Sequence, residues 1–220
     1  MQKIAISVIL GLLLASTFAV ADNYRVTTLR ASPGQLETLI GEVKAYRQRM
    51  RGRVIVMRHS QGDQWDLLLL EPAGSEPARA EDFGALVDFQ QGLLAASDSS
   101  FAQLQASADE TSLYHIEMFH ALAGKKEALV DQRVRENQYL QVTGQTTNAV
   151  FVTSFGSDVD VFTVGFHKDM HAFSEGPSVS DAAAEKAARD AGFKNRADLG
   201  FYLRALLISH HDTLAVPLGD

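Results

Sequence analysis

The chain has 220 residues, no cysteine, 46% hydrophobic residues and a formal net charge of −7. Lacking thiols, it can have no disulfides, thiolate metal sites, iron–sulfur clusters or cysteine nucleophiles, so an ordinary hydrophobic core must hold it together. The acidic balance gives little support to nucleic-acid binding, because the basic run Arg47, Arg49, Arg51 and Arg53 reads simply as a solvated helix end.

The first 21 residues have the order of a secretory signal. Lys3 is their only charge, an apolar run follows from Ile4 to Phe18, and Ala19-Val20-Ala21 supplies a small-x-small cleavage site before Asp22. Gly11, Ser16 and Thr17 dilute the run as a membrane span, and no cysteine is present to carry a lipid anchor. The expectation is an exported protein, periplasmic or secreted, with no membrane attachment after cleavage.

Residues 22–112 and 113–220 look like two copies of one unit. Tyr24, Ala31, Gly34, Glu37 and Leu39 recur at one constant offset as Tyr114, Ala121, Gly124, Glu127 and Leu129. Val56, Ser60, Gly62 and Asp66 recur at a slightly longer offset as Val150, Ser154, Gly156 and Asp160. An insertion in the loop between helix and strand accounts for the difference.

In chain order, the first copy begins with an alternating strand over Tyr24–Ala31 and turns at Gly34. A helix follows, whose Leu36, Leu39, Ile40, Val43 and Tyr46 form a buried stripe. Two strands then form a hairpin around Gly62, and Arg79–Gln105 reads as a second helical region interrupted near Ser97–Ser100. The stretch 107–112 is too short and polar for a closing strand, which predicts an open or asymmetric barrel. The second copy has a strand over Leu113–Ala121, a helix after Gly124 and a hairpin around Gly156. Helices over Ala182–Ala191 and Arg196–Leu207 follow, then a last strand over His210–Leu218.

Strand–helix–strand–strand–helix–strand is the order of a ferredoxin-like α+β unit. With two such units, residues 23–220 resemble the dimeric α/β-barrel superfamily. That group includes small monooxygenases, isomerases, haem-binding chlorite-dismutase-like proteins and the NIPSNAP family. The resemblance implies two sheets packed face to face within one chain. Pairing between chains into a homodimer is compatible with it.

Candidate chemistry gathers in the second copy. If Ile116 and Met118 form a helix-packed face, then His115, Glu117 and Phe119 look into the barrel beside Arg25 and Thr27, while His120 faces the other way. The competing reading of His115 and Glu117 is an edge strand wetted on its polar side. On the last strand His210 and Asp212 share one face and His211 and Thr213 the other, which makes His115, Glu117, His210 and Asp212 a candidate constellation. Alternatively the His-His-Asp run caps the preceding helix. His167 and His171 have metal-pair spacing but read as a surface loop, and Arg133 stands in the buried stripe where the first copy has Val43.

Gly-rich phosphate loops, the Gly-x-Ser-x-Gly elbow and the Cys-x-x-Cys-His haem attachment are all absent. The expected function is binding of a small organic ligand, with acid–base chemistry that needs no nucleotide cofactor. Against it stand a haem- or metal-binding barrel, suggested by seven histidines, and a non-enzymatic interaction module with a filled interior. The identity of any cofactor is left open, as is whether the chain is an enzyme.

Overall fold

A computed structural model describes residues 21–74 and 81–219; the expected leader lies outside them except for Ala21. The elements in order are β1 (Asp22–Ala31), α1 (Leu36–Arg49), β2 (Ile55–Gln61), β3 (Leu67–Pro72), β4 (Val87–Ser97), α2 (Phe101–Asp109) and β5 (Leu113–Ala121). They continue with α3 (Lys126–Val142), β6 (Asn148–Phe155), β7 (Val161–His167), α4 (Met170–Ser174), α5 (Asp181–Asp190), α6 (Asp198–Arg204) and β8 (Leu207–Pro217). The eight strands form one closed antiparallel barrel in the order β1-β3-β2-β8-β5-β7-β6-β4.

Alternation along each strand divides the molecule into two layers of packing. Inward-facing residues from all eight strands meet in one apolar cluster, including Tyr24, Met57, Leu68, Leu93, Ile116, Phe151, Phe162 and Ala215. Phe151 and Phe162 stack with ring centroids 4.5 Å apart. Fully burying one such side chain is worth about 1.5–3 kcal/mol, so this filled interior is a principal source of stability. Outside the ring, α1 lays Leu39, Val43 and Tyr46 on Leu29, Val56, Leu67 and Leu69. Leu129 of α3 packs against Phe119, Val161 and Leu206.

Two expectations are corrected. Residues 87–97 are a strand, not part of a helical region, and they complete the ring by pairing with both β1 and β6. The barrel is therefore closed rather than open. The helix that does form, α2, starts later, at Ser100, whose hydroxyl accepts the Gln103 amide in a capping box.

The two ends of the ring's sequence repeat several local devices. Asp66 Oδ2 accepts the Ala31 amide at 2.7 Å, and Asp160 Oδ2 accepts the Ala121 amide at 2.9 Å. Gly62, at φ 118°, lies against the backbone of Asp212 and Thr213; Gly156, at φ 95°, lies against that of Gly92 and Leu93. A Cβ at either glycine would fall within 2.5 Å of a carbonyl oxygen. These are the positions where β2–β3 approaches β8 and where β6–β7 approaches β4.

Candidate functional site

The register of β5 with its neighbours decides which polar groups meet. Glu117 lies opposite Asp212 of β8 and Thr163 of β7, Phe119 lies opposite His210, and His115 lies opposite Leu214 and Gly165. Residues opposite each other in an antiparallel pair share a face. His115, Glu117, His210 and Asp212 therefore stand on one side of the sheet, as the sequence pattern suggested. The side is the reverse of the expected one: Tyr114, Ile116 and Met118 fill the barrel interior, and His115, Glu117 and Phe119 point outward. Arg25 and Thr27 likewise face out, beneath α1, opposite Glu71 and Leu69. The physical reason is that a closed eight-stranded interior has no room for water and takes the apolar face, while the helix-covered side can accommodate charge if the helix brings a partner.

That partner is Arg133 of α3, with a side chain 2% exposed. Its guanidinium donates to Glu117 Oε2 at 3.4 Å, to Gln132 Oε1 at 2.7 Å and to Glu136 Oε2. Thr163 Oγ1 also donates to Glu117 Oε2, at 3.2 Å. Burial pushes the Glu136 carboxyl above the usual carboxylate range, aided by Glu117, while Arg133 and the Gln132 hydrogen bond pull it back.

On the β8 side, Asp212 Oδ1 is 3.4 Å from His115 Nε2 and Oδ2 is 3.0 Å from His210 Nε2. Arg204 Nη1 contacts His210 Nδ1 at 3.1 Å. A guanidinium can only donate, so Nδ1 accepts and Nε2 carries the hydrogen that faces Asp212. His210 thus belongs to the strand pairing and the site rather than to a helix cap, and it stacks on Phe119. His120 is on the opposite face, 3.1 Å from Ser209 Oγ, with its ring beside that of His211.

Above this floor lies a cavity of about 550 Å³, lined by His115, Glu117, Glu136, Asn148, His167 and Phe173, with the loop 175–178 at its rim. A second cavity, of about 500 Å³, reaches His115 and Asp212 from the β2–β3 hairpin side. The Phe173 ring contacts both His115, at 5.0 Å, and His167, at 5.2 Å.

His167 and His171 are not a pair, and His167 is not in a surface loop. His167 ends β7 in a buried position, and among the described residues its Nδ1 has no partner. Burial, with a smaller effect from His115, holds its pKa below the ordinary histidine value. His171 is exposed on α4, 3.3 Å from Glu175. Sequence reasoning missed His167, Glu136 and Phe173, although Arg133 in an apolar stripe was a sign of buried charge nearby.

No protein-family model and no curated protein matches the sequence. Solved structures share the fold. A proposed monooxygenase from Fusobacterium nucleatum aligns over 92% of this chain and 94% of its own, at TM-score 0.59 and 6% identity. An anthrone oxidase-like protein aligns over 91% and 94%, at TM-score 0.57 and 10% identity. A proposed monooxygenase from Lactobacillus acidophilus aligns over 91% and 95%, at 0.54 and 6%. At these identities the likeness concerns the α+β barrel alone.

Proposed function

We propose that this is an exported α/β-barrel protein, two tandem ferredoxin-like units behind a cleaved leader, that binds a small organic ligand and acts on it without a nucleotide cofactor. The ligand sits outside the barrel, in the groove between β5–β7, α3 and α4. The observation that carries this reading is the groove itself, about 550 Å³ in volume and lined by two imidazoles and several carboxylates. His115, Glu117, Glu136 and His167 are the lining groups able to take or return a proton.

Support for the tandem reading comes from the repeated Asp66/Asp160 and Gly62/Gly156 devices and from matching strand orders, β4-β1-β3-β2 and β8-β5-β7-β6. Since the ring closes within one chain, a homodimer would use its outer surface. A haem fits poorly: the barrel interior is filled by side chains, and the groove's carboxylates, Glu117, Glu136 and Glu175, oppose both the apolar porphyrin face and its anionic propionates. An interaction module would share the filled interior but would have no use for such a groove.

The test is native mass spectrometry on protein recovered from the exported fraction of cells expressing the full chain. A non-covalent small-molecule adduct is expected, and it should be lost when Ala172→Trp fills the groove. Bare polypeptide mass in both proteins, or an adduct that survives Ala172→Trp, would count against the groove as the ligand site.

A further inference from the structure

We propose that His115, Glu117 and Asp212 bind a divalent first-row transition cation, of the zinc class, where the groove meets the second cavity at His115. The inference rests on the groove being the ligand site and adds how the ligand is held there. Each of the three residues offers one ligand atom, and these atoms lie within 4.8 Å of one another.

Three features single the trio out from an ordinary ion-pair cluster. The first is charge: Glu117 and Asp212 stand directly opposite each other on neighbouring strands, an arrangement of like charges that destabilises a sheet unless a cation lies between them. The second is orientation. Arg133 and Thr163 both take Oε2 of Glu117, and the Nε2–H of His210 takes Oδ2 of Asp212, so each carboxylate is clamped through one oxygen and keeps the other for a further partner. Metal-binding carboxylates are commonly held in this way by a surrounding shell of donors. The third is spacing. The 3.4 Å between His115 Nε2 and Asp212 Oδ1 is long for a hydrogen bond. Two ligands each about 2.1 Å from a tetrahedral ion stand about 3.4 Å apart.

An independent observation comes from His167, which is more than nine-tenths buried and whose Nδ1 has no partner among the described residues. Its Nε2 leans over Gly165, the cross-strand neighbour of His115, at 2.8 Å from where a Cβ would stand. His167 thus sets a second imidazole beside the trio, next to the strand position that faces His115.

One imidazole and two carboxylates form a nitrogen–oxygen donor set suited to Zn²⁺ or Mn²⁺, and three protein ligands leave a coordination position free. Facing the groove, that position selects a ligand with an anionic or chelating oxygen, such as a carboxylate, phenolate or enolate. Glu136 and His167 then remain as the lining groups that can carry protons.

The experiment titrates Zn²⁺ into chelator-treated protein from the exported fraction, read by calorimetry and by the shift in Tm. One Zn²⁺ per chain is expected. Asp212→Asn, at a half-exposed position that should tolerate the change, is expected to weaken binding at least about 100-fold, and His115→Ala to do the same. His210→Phe, which keeps the ring over Phe119 but removes the clamp on Asp212 and the Arg204 contact, should cost about 10–100-fold. His120→Ala controls for the imidazole pair on the opposite face and should change nothing. Absence of Zn²⁺ uptake by the unmodified chain overturns the proposal, as does uptake unaffected by Asp212→Asn or lost only in His120→Ala. Ala172→Trp should keep its Zn²⁺ while losing the small-molecule adduct, so a failure of the metal site and a failure of the groove give different results.

Discussion

The sheet face under α1 and the face under α3 solve the same problem in opposite ways. Under α1, Glu71 is buried opposite Arg25, and the Tyr46 hydroxyl donates to Glu71 Oε1 at 2.5 Å, while Leu39 and Val43 fill the remaining space. On the alignment of the proposed repeat, the face under α3 has His115 at the position of Arg25, Glu117 at that of Thr27, Arg133 at that of Val43, Glu136 at that of Tyr46 and Gly165 at that of Glu71. One face satisfies its charge internally and is closed. The other has no side chain at Gly165 and carries charge that needs a helix-borne arginine. The groove thus lies beneath the helix whose sheet face is charged, on a barrel that stays closed.

The most severe way to break this comparison is Arg133→Val, which places the α1 residue in α3. It strands Glu117 and Glu136 beneath the helix and should cost about 3–5 kcal/mol in urea unfolding. Adding Glu117→Thr and Glu136→Tyr, the residues found under α1, should recover more than half of that loss. A triple variant no more stable than the single one would show that the two faces are not interchangeable.

The same exchange explains what could be read in advance. α1, the β5–β8 neighbourhood and the shared face of His115, Glu117, His210 and Asp212 follow from local pattern, since alternation assigns side chains to faces without knowledge of the fold. Which face lies inside the barrel does not follow, because Ile116 and Met118 suit a helix-packed face and a closed interior equally well. β4 was obscured by its doubled residues, Gln90-Gln91, Leu93-Leu94 and Ala95-Ala96, which blur a period of two even though Leu93 and Ala95 point inward. His167 gave no local signal: its burial comes from α4 and Phe173, which only the tertiary fold brings near.

Tyr46→Phe probes the closed face more gently. It leaves the Glu71 oxygen without its donor and should cost about 1–3 kcal/mol. A neutral result in the same urea assay would mean that the hydrogen bond is not what closes this face.

The smallest effect is a pH slope. Burial raises the Glu71 carboxyl from its ordinary value of 4.5, against the opposing pull of the Tyr46 hydrogen bond and of Arg25. The folded chain therefore holds this proton to higher pH than the unfolded chain does. The contribution is fully present below the unfolded value and is lost as pH rises through the folded one. In Glu71→Gln that dependence disappears, so the unfolding free energy of the unmodified chain relative to the variant should fall as pH rises above the ordinary carboxyl value of 4.5. A difference that grows with pH would reverse the sign assigned to Glu71.

The pairing of β2 with β8 sets Met57 beside Pro217, so the ring is sealed by β8, the last of its eight strands in chain order. Nothing translated before β8 can finish the barrel: until then β2 and β5 each keep an unpaired edge, and the apolar interior stays accessible along the gap. Such a long-range seam slows folding, because the entropy of drawing distant segments together is spent before any contact repays it.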